Sequence, residues 1–167
     1  MILTCSCSGK RAAPAMLAIV LALAGCAASP SQRPTQVRTQ LSSAADINPD
    51  ASNRASPLVV RVFELRSDAE FAGADFFALY ERERQTLGEA LIERKEFVLQ
   101  PGARRELRLP VGRDTRFLGV IAAYRDIRAA KWRALATAPR RTAGDVFSRD
   151  RIAIEATRGG ITLSVKD

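Results

Sequence analysis

The chain has 167 residues, with 26 basic and 18 acidic side chains, three cysteines, no histidine and a net charge of +8. Without histidine, Ser-His-Asp and Cys-His arrangements and most zinc sites are excluded, and there is no G-x-S-x-G and no P-loop. The arginines are spread rather than clustered: adjacent pairs occur at Arg104-Arg105 and Arg140-Arg141, with no run of five. Interleaved with glutamates, they read as a solvated surface rather than as a nucleic-acid or lipid site.

The first element is a leader. "MILTCSCSGKRAAPAMLAIVLALAGC" has a basic region ending in Lys10 and Arg11, then 13 apolar residues, Ala12 to Ala24. A membrane span needs about 20 apolar residues, whereas a secretory core needs about 7–15. Residues 1–25 are therefore expected to be a signal peptide. Leu23-Ala24-Gly25-Cys26 resembles the lipobox of bacterial lipoproteins, in which Cys26 would take the lipid on its thiol. The bland alternative is an ordinary secretory signal with an incidental cysteine. One acyl chain binds a membrane only marginally, at ~0.8 kcal/mol per CH₂, while two or three anchor lastingly. An aspartate after the cysteine would resemble an inner-membrane retention signal; Ala27 stands there instead, which favours the outer membrane. Cleavage leaves Cys26 as the only cysteine, so no disulfide forms within the mature chain even in an oxidising compartment. It also removes Lys10 and Arg11, leaving 24 basic and 18 acidic residues, a net +6.

Residues 26–35 form the lipidated terminus and a short polar tether containing Pro30 and Pro34. Residues 36–167 suit one domain. Strand patterns follow at 37–44, 57–66, 96–100, 105–110, 115–124, 131–138, 151–156 and 161–166, with Pro101-Gly102 and Gly159-Gly160 as turns. Val37, Thr39 and Leu41 share one face, and 115–124 is the most apolar run. Eight short strands imply a mainly β fold, a two-sheet antiparallel sandwich. A helical insertion at 67–91 interrupts them. "SDAE" (67–70) reads as a capping box on Ser67 and Glu70. Asp75 caps a second helix whose Phe77, Tyr80, Leu87 and Leu91 fall near one face.

Candidate chemistry is sparse. Glu81/Glu83 and Asp145/Asp150 are carboxylate pairs, but arginines lie close to most acids, as ion pairs on a wet face would require. Asp46, Asn48 and Asp50 have the alternate spacing of a calcium loop, yet Ala51 and Pro57 occupy positions needing glycine and an acid. No enzyme, metal, cofactor, nucleic acid or small-molecule substrate is expected.

"INPDASNRASPLVVRVFELRSDAEFAGADFFALYERE" (47–83) and "FLGVIAAYRDIRAAKWRA" (117–134), together with the lipobox, resemble the TssJ family, outer-membrane lipoproteins of the bacterial type VI secretion system. The most specific parts are Pro57–Val62, Ala74–Tyr80, Tyr124-Arg125-Asp126 and Trp132, in that order and spacing. The resemblance implies a transthyretin-like sandwich with a helical addition. It also implies a role: binding the periplasmic C-terminal region of a TssM-like inner-membrane protein and fixing the trans-envelope complex to the outer membrane. In the family the loop between the first two strands reaches the partner; here that is Ala45 to Pro57. Asn53 stands where the family pattern has glycine, and Asn tolerates left-handed backbone nearly as well.

Read by itself, "DINPDASNRASP" is a turn-rich connection too long for a tight hairpin. Ile47 is the expected apolar anchor, with Asn48, Asp50, Asn53 and Arg54 as rim hydrogen-bonding groups. Exchange of 47–54 for Gly/Ser is expected to leave the sandwich folded. The competing function is a stand-alone periplasmic binding module for cell-wall glycan or a small ligand, which would require a concave aromatic patch; a transthyretin-like hydrolase is a third, opposed by the missing histidines.

Overall fold

The computed structural model describes residues 34–139 and 147–166. The leader, Cys26, Ala27 and Asp145 lie outside the described residues. Eight strands are found among those described: β1 (Thr35–Ser43), β2 (Leu58–Leu65), β3 (Leu91–Leu99), β4 (Arg104–Val111), β5 (Phe117–Ala122), β6 (Arg133–Thr137), β7 (Phe147–Thr157) and β8 (Gly160–Lys166). They make two four-stranded sheets, β4-β1-β7-β8 and β3-β2-β5-β6. Alternation places Val37, Thr39 and Leu41 of β1 inward, facing Val60 and Val62 of β2 and Leu118 and Val120 of β5 across the core.

Two pairings depart from simple antiparallel neighbours. β1 and β7 run parallel, so that sheet is mixed. Pro101-Gly102 does not close a hairpin, because β3 pairs with β2 while β4 pairs with β1. The turn carries the chain from one sheet to the other, and the apolar residues of both strands keep facing the common core. Arg158-Gly159, by contrast, closes the β7–β8 hairpin, with Thr157 opposite Gly160.

β2 and β5 are apolar on both faces, which explains why 115–124 reads as the most apolar run. Their outer face is covered by the insertion: α1 (Ala69–Gly73), α2 (Phe76–Glu81), α3 (Glu83–Leu87) and a 3-10 turn at Gly88–Ala90. Phe71, Phe76, Leu79 and Leu87 pack there on Phe63, Leu65 and Ile121. Gly119 permits this contact: a Cβ on it would lie 2.7 Å from Cζ of Phe71.

The helix caps are partly as the sequence predicts. Asp75 does cap α2, its Oδ1 accepting from Ala78 N at 2.9 Å. The expected box at 67–70 does not form: Asp68 is the N-cap of α1, and Ser67 Oγ accepts only from Ala69 N at 3.4 Å. Nor is 75–91 one helix, since Arg82 leaves helical geometry (φ −130°, ψ 35°) and Leu91 already opens β3. Starting at the Asp75 cap, the inward phase is Phe76 and Leu79. Phe77, expected on the packed face, is 57% exposed.

The strand registers define two poles. The β1–β2 loop, the β3–β4 turn, the β5–β6 connection and the β7–β8 turn meet at one end. Thr35, which follows the expected tether in the chain, lies at the other, here the tether pole, with the β4–β5 connection. One side seam is hydrogen-bonded: Lys131 N donates to Gly159 O and Ile161 N donates to Lys131 O, both at 2.9 Å. Gly160 allows that approach, because a Cβ there would lie 2.6 Å from Cβ of Lys131. Among the described residues no helix is long and apolar enough to cross a membrane.

Candidate functional site

The 44–57 loop closes the pole opposite the tether, and its two halves differ in character. In the first half, Ile47 is 0% exposed and belongs to the core with Leu58 and Tyr124. Asn48 is buried with left-handed backbone (φ 46°); its Nδ2 donates to Pro57 O and its Oδ1 accepts from Arg125 N, both at 2.8 Å. Ser56 N donates to Ile47 O at 3.1 Å. These two residues seal the open end of the sandwich and clamp the loop base to the β5–β6 connection. Ile47 and Asn48 are therefore corrected from surface contacts to internal supports: an apolar residue in a polar loop over an open core is drawn inward.

The second half is the exposed tip. Asp50 N donates to Arg54 O and Asn53 N donates to Asp50 O, both at 2.9 Å. Asp50 Oδ1 accepts from the backbone N–H groups of Ser52 and Arg54, and Oδ2 accepts from Arg54 Nε at 2.8 Å. The Arg54 N–H first, and its guanidinium second, hold the Asp50 carboxyl below its usual 3.8. Asn53 adopts φ 61°, as expected of the asparagine standing for glycine, and its Oδ1 accepts from Arg158 Nη2 at 2.7 Å. The Arg54 side chain is 79% exposed. Such exposed pairs add little stability, but together they hold one loop shape before any partner arrives.

Beside the tip runs a groove lined by Asn48, Pro49, Tyr124, Asp126, Ala130 and Arg158. Tyr124 donates to Thr157 O at 2.9 Å, and burial pushes its hydroxyl up to about 12. Arg158 carries no signal in the sequence, and Arg125, part of the Tyr124-Arg125-Asp126 motif, carries none of its contact with Asn48. The two lie 105 and 77 residues from their loop partners, and no local pattern marks those pairings.

The alternative chemistries find their groups committed. Asn48's amide points inward and Asp50's carboxylate is filled by Arg54, so the calcium-like spacing does not converge on an ion. Glu83 pairs with Arg94 at 2.8 Å and Arg61 at 3.5 Å, and Glu96 pairs with the same two arginines. Arg61 also lies 4.0 Å above the Tyr80 ring, and Trp132 packs edge-on against Phe76. Two of the rings that a sugar site would use, Tyr80 and Trp132, thus pack the helices onto the sheet.

Residues 35–159 match the model of the T6SS-SciN family, the type VI secretion lipoproteins that include VasD, EvfM and TssJ. The chain belongs to this family. Among solved structures, the type VI secretion lipoprotein TssJ1 of Pseudomonas aeruginosa is 35% identical, with TM-score 0.71 over 80% of this chain and 98% of that one. Serratia marcescens Lip, a membrane-bound component of the type VI secretion system, is 28% identical, with TM-score 0.69 over 78% and 98% of the two chains. A structure described as the T6SS protein TssM C-terminal domain from EAEC matches at 23% identity and TM-score 0.58 over 79% and 98%, a likeness of fold alone. No curated protein is matched by sequence. At the loop pole, residues 51–54 of the tip, with Arg158 bracing Asn53, are exposed.

Proposed function

We propose that this type VI secretion lipoprotein is anchored in the outer membrane by acyl chains on Cys26, with Ala27 as the sorting position. Its loop tip binds the periplasmic C-terminal region of a TssM-like inner-membrane protein. Binding at one pole and anchoring at the other would fasten the trans-envelope complex to the outer membrane. The reading is carried by the family match over 35–159; the relatives' names supply the partner class. Asp50, Asn53 and Arg54 are the contact residues of this proposal, with Ile47 and Asn48 holding them in place. A rigid sandwich presenting a pre-shaped loop is a common arrangement for recognition.

Two measurements test it. Metabolic palmitate labelling is expected of the full chain and lost in Cys26→Ser, since a hydroxyl does not accept lipid in this pathway; persistent labelling would refute the anchor. Replacing 50–54 by Gly/Ser of equal length is expected to weaken binding to the TssM-like periplasmic fragment about thirtyfold or more, the cost of losing ~2 kcal/mol of interface contacts. Calorimetry showing affinity within threefold of the parent would move the interface away from this tip.

A further inference from the structure

We infer that the outer face of the β4-β1-β7-β8 sheet docks on the anionic phospholipid headgroups of the leaflet that holds the tether. Register creates the feature. Arg108 stands opposite Arg38, Arg38 opposite Arg151, and Arg151 opposite Lys166, so every strand contributes a base to one row across the sheet. Their inward neighbours Val37, Leu109 and Ile152 are buried, and all four bases are exposed. At about 4.8 Å between strands, the row spans about 15 Å. Arg149, two residues before Arg151 and also exposed, extends it towards the tether pole.

Like charges directly opposite one another destabilise a sheet, so the aligned Arg38, Arg151 and Lys166 are locally unfavourable without an anion. Among the described residues no carboxylate lies within ion-pairing distance of Arg38, Arg149, Arg151 or Lys166. The described carboxylates on this face, Glu106 and Glu155, lie in rows nearer the loop pole, opposite Gln40 and Ser42. Among the described residues no helix covers the face, because the insertion packs on the other sheet.

The occupant follows from charge and position. Arg38 lies three residues after Thr35, and Thr35 is nine steps along the chain from Cys26, a reach of about 30 Å at 3.3–3.6 Å per residue. A chain lipidated at Cys26 therefore holds this row within reach of the headgroups. Resting on it, the molecule turns the helices, which pack on the other sheet, away from the leaflet. The inference uses the proposed anchor only to say which membrane the face meets.

The test uses the mature chain, residues 26–167, carrying Cys26→Ser, so that neither leader nor acyl chain contributes, with phosphatidylcholine vesicles containing or lacking phosphatidylglycerol at about 0.1 M salt, where the screening length is about 10 Å. Binding is expected to favour the anionic vesicles and to weaken as salt rises. Arg38→Gln, Arg151→Gln and Lys166→Gln together are expected to lower the partition coefficient about a hundredfold, at roughly fivefold per base. Melting should be unchanged or higher, as repulsion is relieved. Arg38→Lys with Arg151→Lys should bind within twofold of the parent. Removing three exposed bases elsewhere, Arg82→Gln, Arg84→Gln and Arg128→Gln, should cost less than fivefold. The inference is overturned by equal losses in the two triple variants, by no preference for anionic vesicles, or by inorganic phosphate displacing the protein beyond its ionic-strength effect. The assay contains neither acyl chain nor secretion partner, so its failure is distinguishable from failure of the anchor or loop proposals.

Discussion

Glu64→Ala is expected to lower the unfolding free energy by about 3–5 kcal/mol, the range for breaking a buried charge pair. Glu64 is 3% exposed and lies on the inward face of β2 near the tether pole. Its Oε1 accepts from Lys95 Nζ at 2.8 Å, while Oε2 accepts from Gly112 N at 2.7 Å and Thr115 Oγ1 at 2.8 Å. One carboxylate thus ties β3 and the β4–β5 connection to β2, where the chain passes between sheets. Alanine strands two donors, each costing about 1–3 kcal/mol, and leaves a void. Lys95 retains 26% side-chain exposure and can regain water, so the lower end of the range is expected. Glu64→Gln keeps the volume and one acceptor and should lose about half as much. In urea unfolding, a loss below ~1 kcal/mol for the alanine variant would show that the network contributes no net stability.

Ile47→Ala is expected to cost about 2–5 kcal/mol, as for other fully buried aliphatic truncations, although it lies in a loop. The same argument separates two loop exchanges. Replacing 50–54 removes exposed contacts and should change stability by less than ~1 kcal/mol. Replacing 47–54 also empties the Ile47 site and frees Pro57 O and Arg125 N from Asn48, and should cost more than 3 kcal/mol. The expectation that the longer exchange leaves the sandwich intact is corrected on this ground. Binding loss in the longer exchange would therefore confound folding with recognition, whereas the shorter exchange isolates the tip. Matching melting curves for the two chimeras would contradict a core role for Ile47.

Strand positions were legible because each strand buries one face, and period-two alternation records that locally. Val37, Thr39 and Leu41 reveal their inward face without knowledge of what lies across from them. The Asp75 cap was legible for the same reason: its partner, Ala78 N, is three residues away. The inward phase of α2 was less legible, since Phe76 and Phe77 are equally apolar and the sheet beneath decides which is buried.

The sequence by itself determined the class of this protein: no histidine, eight alternating strands and an Asp-capped insertion. These are composition and short-range pattern, governed by burial on one face and by hydrogen bonds a few residues apart. Only the tertiary structure decided that Ile47 and Asn48 face inward, that Arg158 braces Asn53, and that β1 pairs in parallel with β7. It alone brought Arg38, Arg108, Arg151 and Lys166 into one row, although in the sequence these bases look scattered. Strand order and register are set by how two whole sheets fill a common core. Spacing along the chain carries no record of which residues then stand side by side.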